Sequence, residues 1–388
     1  MLDDLLVAKM RRPSAFFNPF PLNVVINMAS KEPNRRSFLS TATAAAVAFP
    51  AIITSKRSAA QEIVGSGDHR FRCAHSWPQL PEQYQWQTTH GVAVDPDNLL
   101  YVIHEGFANR PDHPSIFVFD SEGRFVRAFG EQFQGGGHGI EVRVEAGEPF
   151  LYVAAYQQAK TIAKMSLKGE LVWQSYAPQE SGRYAAGEAS DPKKIWGRDR
   201  FLPTNFAFLP DGGFLLADGY GSFFIHRYDA EGQWQSCFGG PGEGQGTFNT
   251  PHGIWIDKRR GVPEIVICDR AHDTLQVFSI AGEYSRTVKG FGLPANADTF
   301  EDLMVVPELV ARVSILDKDL NSIATIGDDR ERVLADKKAN NGFTIRTNES
   351  KWQQGKFVHP HDACFDNAGN LFVAEWVSTG RITKLTRA

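Results

Sequence analysis

A short phrase recurs four times in this chain: a histidine, then Gly or Asp, then a strand-like run. It reads T-H-G-V-A-V-D at His90, G-H-G-I-E-V at His138, P-H-G-I-W-I-D at His252 and P-H-D-A-C-F-D at His361. A phrase that returns every several dozen residues restricts the chain to repeat architectures, where each unit buries its apolar face on the next. Laid together, the segments share one template. The histidine phrase leads into strand A, and a D-P-D-N-type turn into an apolar strand B ending near Asp or Glu. A short strand C ends in F-D or its equivalent, and an x-x-G turn leads to strand D. The template fits residues 90–130, 138–176, 203–239, 251–291, 300–327 and 359–387. Four short strands per unit, separated by glycine turns, describe propeller blades.

The fifth segment is the least well preserved, and the sixth stops at strand C. Residues 71–75 read as an extended stretch before Trp77-Pro78 and can supply the missing strand. That pairing closes the ring and removes its open edges. The expected fold is therefore all-β: a six-bladed propeller over residues 69–388, with an N-terminal strand closing the last blade. Residues 177–202 and 328–356 do not fit the template and read as long loops over one face of the ring.

Residues 1–60 carry a different signal. Paired arginines (Arg35, Arg36) precede Phe38-Leu39, an Ala-rich apolar stretch and small residues near Ser58–Ala60. This is the pattern of a twin-arginine export signal, with an upstream extension before Met28. The apolar run is about 17 residues, short of the roughly 20 a spanning helix needs. The expectation is export to the periplasm or cell envelope, with no stable membrane span once the signal is cleaved; an uncleaved anchor is the alternative. A net charge of −4 gives no reason to expect nucleic acid as a partner. Cys73, Cys237, Cys268 and Cys364 show no framework spacing and read as free thiols beside strands.

In a propeller, strand A lines the central channel, so the residue before it lies near the axis. That position reads His90, His138, Thr204, His252, Glu301 and His361. Blades two, four and six all carry histidine. Alternate blades of a sixfold ring are about 120° apart, so His138, His252 and His361 can converge on one axial point. Three neutral imidazoles with an open fourth position suit Zn²⁺. His90 stands outside the trio, as a substrate contact, a support for the ligands or a turn residue.

At these residues the chain resembles NHL-repeat propellers, and more specifically the catalytic core of peptidyl-α-hydroxyglycine α-amidating lyases. The phrases are P-H-G at His252, A-D-G-Y-G at Tyr220, C-D-R-A-H at Arg270 and H-P-H-D at His361 and Asp362. The resemblance implies a zinc held by His138, His252 and His361, with Tyr220 as general base. Arg270 would stabilise the phenolate or bind a substrate carboxylate. Asp362 would bind a structural Ca²⁺ or orient a ligand histidine. The implied reaction splits the C–N bond of a carbinolamide into an amide and an aldehyde, on a small-molecule or peptide-derived substrate.

The chain departs from that pattern. Blade one reads I-H-E-G, placing Glu105 where the family carries a second arginine. H-P-H-D brings His359 beside the site, and D-G-Y-G lacks the family's loop disulfide. His104 and Glu105 close a strand at the same face and are candidates for metal or substrate contact. Two other functions fit: a non-catalytic NHL-type binding module with a protein partner, or a Ca²⁺-dependent lactonase-type propeller using Asn205 and Asp362.

Overall fold

The computed structural model describes residues 62–188 and 194–388. The proposed export signal lies outside the described residues. Six antiparallel sheets make up a six-bladed β-propeller. Blade one holds β3 (Thr89–Val94), β4 (Leu100–His104), β5 (Ile116–Phe119) and β6 (Phe125–Phe129). Blade two holds β7 (Gly137–Glu145), β8 (Glu148–Ala155), β9 (Thr161–Ser166) and β10 (Leu171–Ser175). Blade three holds β11 (Phe206–Phe208), β12 (Phe214–Ala217), β13 (Phe224–Tyr228) and β14 (Trp234–Gly239). Blade four holds β15 (Pro251–Asp257), β16 (Glu264–Asp269), β17 (Thr274–Ser279) and β18 (Tyr284–Lys289). Blade five holds β19 (Asp298–Phe300), β20 (Leu303–Glu308), β21 (Arg312–Leu316) and β22 (Ser322–Ile326).

The last blade joins both ends of the described chain. β23 (Pro360–Phe365), β24 (Leu371–Glu375) and β25 (Arg381–Arg387) are followed in the sheet by β2 (His69–Ala74). Phe71 pairs with Arg387 and Cys73 with Leu385, as the closing strand requires. A further strand, β1 (Glu62–Ser66), extends this sheet to five.

The second strand of each blade is buried on both sides, so it reads as a continuous apolar run. Along β4, Tyr101 and Ile103 pack on Leu151 and Val153 of blade two. The alternating Leu100 and Val102 pack on Phe372 and Ala374 of blade six. Period-two alternation thus sorts residues between two neighbouring blades rather than between core and water. The recurring D-x-x-G and D-x-x-N turns have one mechanism. Oδ1 of Asp95, Asp120, Asp229, Asp317 and Asp366 accepts the backbone N–H groups two and four residues on. The residue three positions on then takes positive φ, which glycine adopts without strain at Gly123, Gly232 and Gly369.

Two expectations need correction. Residues 328–356 are not a bare loop: they contain α1 (Arg330–Asn340) and short 3₁₀ turns at Thr344–Thr347 and Glu349–Lys351. Glu301 does not occupy the axial position of blade five. Phe300 pairs with Leu303, so Glu301 sits in the turn after β19, and Asn296 takes the place before the strand.

Candidate functional site

Each of the four histidines falls in a bulge at the start of strand A. The registers skip between Thr89 and Gly91, Gly137 and Gly139, Pro251 and Ile254, and Pro360 and Asp362. An extra residue in one strand re-aims its side chain, and here the re-aimed group is the imidazole. The following glycine has its own cause. A Cβ on Gly139 would stand 2.1 Å from the Thr204 carbonyl oxygen, and one on Gly253 would stand 2.4 Å from Asn296 Cα. The glycine lets the next blade's backbone approach, and that backbone then grips the histidine.

His138 Nδ1 donates to Thr204 O at 3.0 Å, His252 Nδ1 to Ala295 O at 2.6 Å and His361 Nδ1 to His90 O at 2.8 Å. With each Nδ1–H committed to a carbonyl, each neutral ring presents an Nε2 lone pair. Burial holds all three rings well below the ordinary imidazole range, so they are neutral near pH 7. The Nε2 atoms of His138 and His252 are 3.2 Å apart. Two lone pairs cannot hydrogen-bond to each other. Two nitrogens on one tetrahedral ion at about 2.0–2.1 Å would be about 3.3–3.4 Å apart. His361 Nε2 is buried without a hydrogen-bond partner. The donor set therefore fits a transition-metal ion.

His90 belongs to the same cluster. Its ring centroid lies 4.7 Å from that of His138 and 4.6 Å from that of His361. Donor atoms of His90, His138 and His361 all lie within 4.8 Å of one another. Neither nitrogen of His90 is hydrogen-bonded, and Glu105 Oε2 lies 3.6 Å from its Nε2. Four imidazoles converge, not three.

Residues just beyond the second strands form the mouth above this cluster. Tyr220 Oη lies 3.1 Å from His252 Nε2 and accepts a hydrogen bond from Arg270 at 2.9 Å. Tyr156 stacks on Tyr220, with centroids 5.3 Å apart, and lies edge-on to His138 at 4.9 Å. Glu105 accepts from Gln157 at 2.6 Å. Burial pushes the Glu105 carboxyl upward, but His90, Gln157 and Arg346 outweigh it and leave it below its usual range. Both insertions reach this face: Trp196 packs edge-on to Tyr156 and Tyr220, and Arg346 contacts Thr88 Oγ1 and acts on the Glu105 charge.

The turn bearing Tyr220 is organised by Asp218, which is fully buried. Its Oδ1 accepts from Leu202 N at 2.8 Å and Gly221 N at 3.2 Å. Its Oδ2 accepts from Ser222 N at 2.7 Å, Ser222 Oγ at 2.6 Å and Tyr184 Oη at 2.8 Å. Tyr184 is held in turn by His226. Trp234 Nε1 donates to His226 Nδ1 at 3.1 Å, which puts the His226 proton on Nε2, 2.7 Å from Tyr184 Oη. The insertion carrying Tyr184 is thus tied to the turn carrying Tyr220.

Beneath the imidazoles lies an oxygen-donor set. Asn205 Nδ2 donates to Glu141 Oε1 at 3.0 Å, and Asn296 Nδ2 donates to Asp362 Oδ1 at 2.6 Å. Both amide oxygens are buried with no partner. Burial raises Glu141 well above the usual carboxylate range and Asp362 to about 7, and the neighbouring Asp298 to about 6. Asn205, Asn296, Asp362 and the four histidines wall a void of about 10 Å³, close to the size of one water or ion. Glu141, Asn296, Asp298 and Asp362 also line an adjoining cavity of about 280 Å³.

Two candidates lie elsewhere. His104 stacks on Phe117 at 5.1 Å and its Nε2 donates to Pro114 O at 2.9 Å, inside blade one. Its position at a strand end suggested the channel, but the preceding alternation turns it into the core. His359 donates through Nδ1 to Leu309 O at 2.6 Å, under the second insertion and beside Trp376. Sequence reasoning passed over Tyr156, Glu141, Asn296 and Arg346. Glu141 had a signal: it stands three residues after its histidine, where the other phrases have Ala93, Trp255 and Cys364.

No family model matches the chain, and no curated protein matches it. Solved structures do. A gluconolactonase from Xanthomonas campestris aligns over 85% of this chain and 92% of its own, at 12% identity and a TM-score of 0.50. A catalytically inactive variant of virginiamycin B lyase from Staphylococcus aureus, with quinupristin, aligns over 81% and 99% at 13% identity and a TM-score of 0.48. At this identity the gluconolactonase alignment supports the propeller fold alone.

Proposed function

We propose that this chain is an exported, zinc-dependent propeller enzyme that cleaves the C–N bond of a small carbinolamide-type substrate. One observation carries the reading: three imidazoles, each pinned through Nδ1 to a neighbouring blade's carbonyl, gather with ring centroids 4.7, 4.8 and 4.9 Å apart beside the Tyr220–Arg270 pair. His138, His252 and His361 would hold the ion, with His90 in reach as a fourth imidazole. When bound, zinc supplies Lewis acidity toward a substrate hydroxyl and draws down its pKa.

The remaining steps belong to the protein. Arg270 donates to Tyr220 Oη and so favours the phenolate. Tyr220 removes the proton of the substrate hydroxyl; the C–O bond becomes a carbonyl as the C–N electron pair leaves with nitrogen. Tyr220 then returns that proton to the departing amide nitrogen, giving a primary amide and an aldehyde. Tyr156 and Trp196 flank Tyr220 and limit water access to the phenol.

A second cation has its own support. Glu141, Asn205, Asn296 and Asp362 offer hard oxygen donors, including two unpartnered amide oxygens, which suits Ca²⁺ as a structural ion. The same set supports a lactonase-type hydrolase as the alternative reading.

Elemental analysis of the purified protein, joined to an assay on an N-acyl-α-hydroxyglycine, tests the proposal. About one zinc per chain is expected. H138A, H252A and H361A should each lose metal and activity, while Y220F should keep the metal and lose activity. A protein that purifies without metal, and whose stability ignores chelators and added zinc, would sink the reading.

A further inference from the structure

We infer that Arg346, carried by the second insertion, is the residue that reads a carboxylate on the substrate. The inference rests on the mouth above the imidazoles being the active site, and it names the substrate's chemical class as a small hydroxylated molecule that also carries a carboxylate.

The insertion is built to hold this side chain still. Asp336 on α1 accepts from Thr344 Oγ1 and Ile345 N, at 3.0 and 2.9 Å. Trp352 Nε1 donates to Ile345 O at 2.9 Å, and Ser378 N donates to Arg346 O at 3.1 Å. Ile345 is buried with Val333 and Val358. The backbone on both sides of Arg346 is therefore fixed to α1 and to the loop after β24.

The guanidinium sits over the Trp376 ring, with Cζ 3.5 Å from the ring centroid. Its Nε donates to Trp376 O at 3.3 Å, and its Nη2 reaches Thr88 Oγ1 at 3.4 Å. No described residue accepts a hydrogen bond from its Nη1. Stacking and two side contacts orient the planar fork while leaving a donor edge for a ligand, the arrangement that suits bidentate carboxylate recognition.

No described carboxylate forms an ion pair with the guanidinium, although the Glu105 charge acts on it from nearby. Arg346 acts on His90, Glu105, Tyr156 and His359 from close range. Glu105 is the acid among them, and its contacts are Gln157 and His90 rather than the guanidinium. Burial lowers the Arg346 pKa to about 10, which still leaves it charged at neutral pH. Arg270, the other mouth arginine, already donates to Tyr220. Arg346 thus stands by Trp376 of blade six and Thr88 of blade one, whereas the Tyr220–Arg270 pair belongs to blades three and four. A hydroxyl over the imidazoles and a carboxylate on Arg346 would place the reacting carbon beside Tyr220.

Calorimetric binding of glycolate and of its neutral amide, glycolamide, to the full chain as purified tests this. Glycolate should bind at least about tenfold tighter than glycolamide. R346Q should lose that preference without losing metal, and R346K should keep part of it. Equal binding of the two ligands, binding of neither, or an unchanged preference in R346Q overturns the inference. If R346Q does not fold, E105Q decides, because it removes the opposing carboxylate and leaves Arg346 in place. Tighter glycolate binding supports the inference; unchanged or weaker binding overturns it. A chain that reads glycolate through Arg346 but leaves carbinolamides intact would refute the proposed reaction and keep this inference.

Discussion

Asp218→Asn tests whether the turn carrying Tyr220 is organised by a buried carboxylate. The five donors around Asp218 leave no lone pair for an amide N–H₂ to replace without conflict. If the amide nitrogen takes the Oδ1 place, two backbone N–H groups lose their acceptor. If it takes the Oδ2 place, Ser222 N is orphaned, while the Ser222 and Tyr184 hydroxyls can rotate to accept. The second arrangement costs less, at about 1–3 kcal/mol for the orphaned N–H and about 1 kcal/mol for the lost charge assistance. At about 2.1 cal/mol/K per residue over some 320 residues, a loss of about 2–4 kcal/mol lowers Tm by about 3–6 °C. Calorimetry of the wild type and D218N at pH 7.5 measures it. The site should respond as well: zinc content stays, but kcat falls as Tyr220 loses its fixed position. Burial raises the Asp218 pKa, so there is a clear way to fail. A carboxyl already protonated at pH 7.5 would itself donate, D218N would copy it, and a Tm shift below about 1 °C would refute the ionised arrangement.

Three further outcomes follow. His226 is buried and its pKa is lowered to about 3, so the folded state refuses a proton that the unfolded state takes up near pH 6.5. Its contribution is complete above pH 6.5 and is lost as pH falls toward 3, by about 2 kcal/mol between 6.5 and 4.5; H226Q should flatten that limb of a Tm–pH profile. Gly139→Ala should lower both Tm and zinc content, because its Cβ would strike the carbonyl that orients His138; Gly147→Ala, with no neighbour within 4 Å, controls for zinc content. Millimolar Ca²⁺ should raise Tm in the wild type by a few degrees and less in N296A, as read by differential scanning fluorimetry.

The propeller was legible because its causes are local and repeated. An aspartate turn favours Asp with Gly or Asn at the positive-φ place three positions on, and those letters recur at Asp95, Asp120, Asp229 and Asp366, with Leu320 the exception after Asp317. The histidine phrase was legible for a similar reason, since the glycine after three of the four histidines answers a close approach by the next blade. Asn296 was missed because blade five lacks the phrase, and a register set by a three-residue β19–β20 pairing cannot be counted from neighbours that do not share it. His90 was set apart by an argument from sixfold symmetry. Its side chain obeys the bulge, which places every such residue on the axis whatever its blade number. Arg346 had no repeat to be aligned with. Its place depends on tertiary contacts of α1 and Trp376, which no periodicity in the chain encodes.

The bond from His361 to the His90 carbonyl spans 271 residues of sequence, and it lies at the seam where blade six meets blade one. That bond can form only after the last blade has docked on the first. A nascent chain emerging through blade four already owns three of the imidazoles, yet it lacks the seam that brings His90 and His361 together. If the cluster holds the proposed ion, loading would be a late event, timed by closure of the ring, and retention by the whole cluster would report that both ends of the chain have arrived.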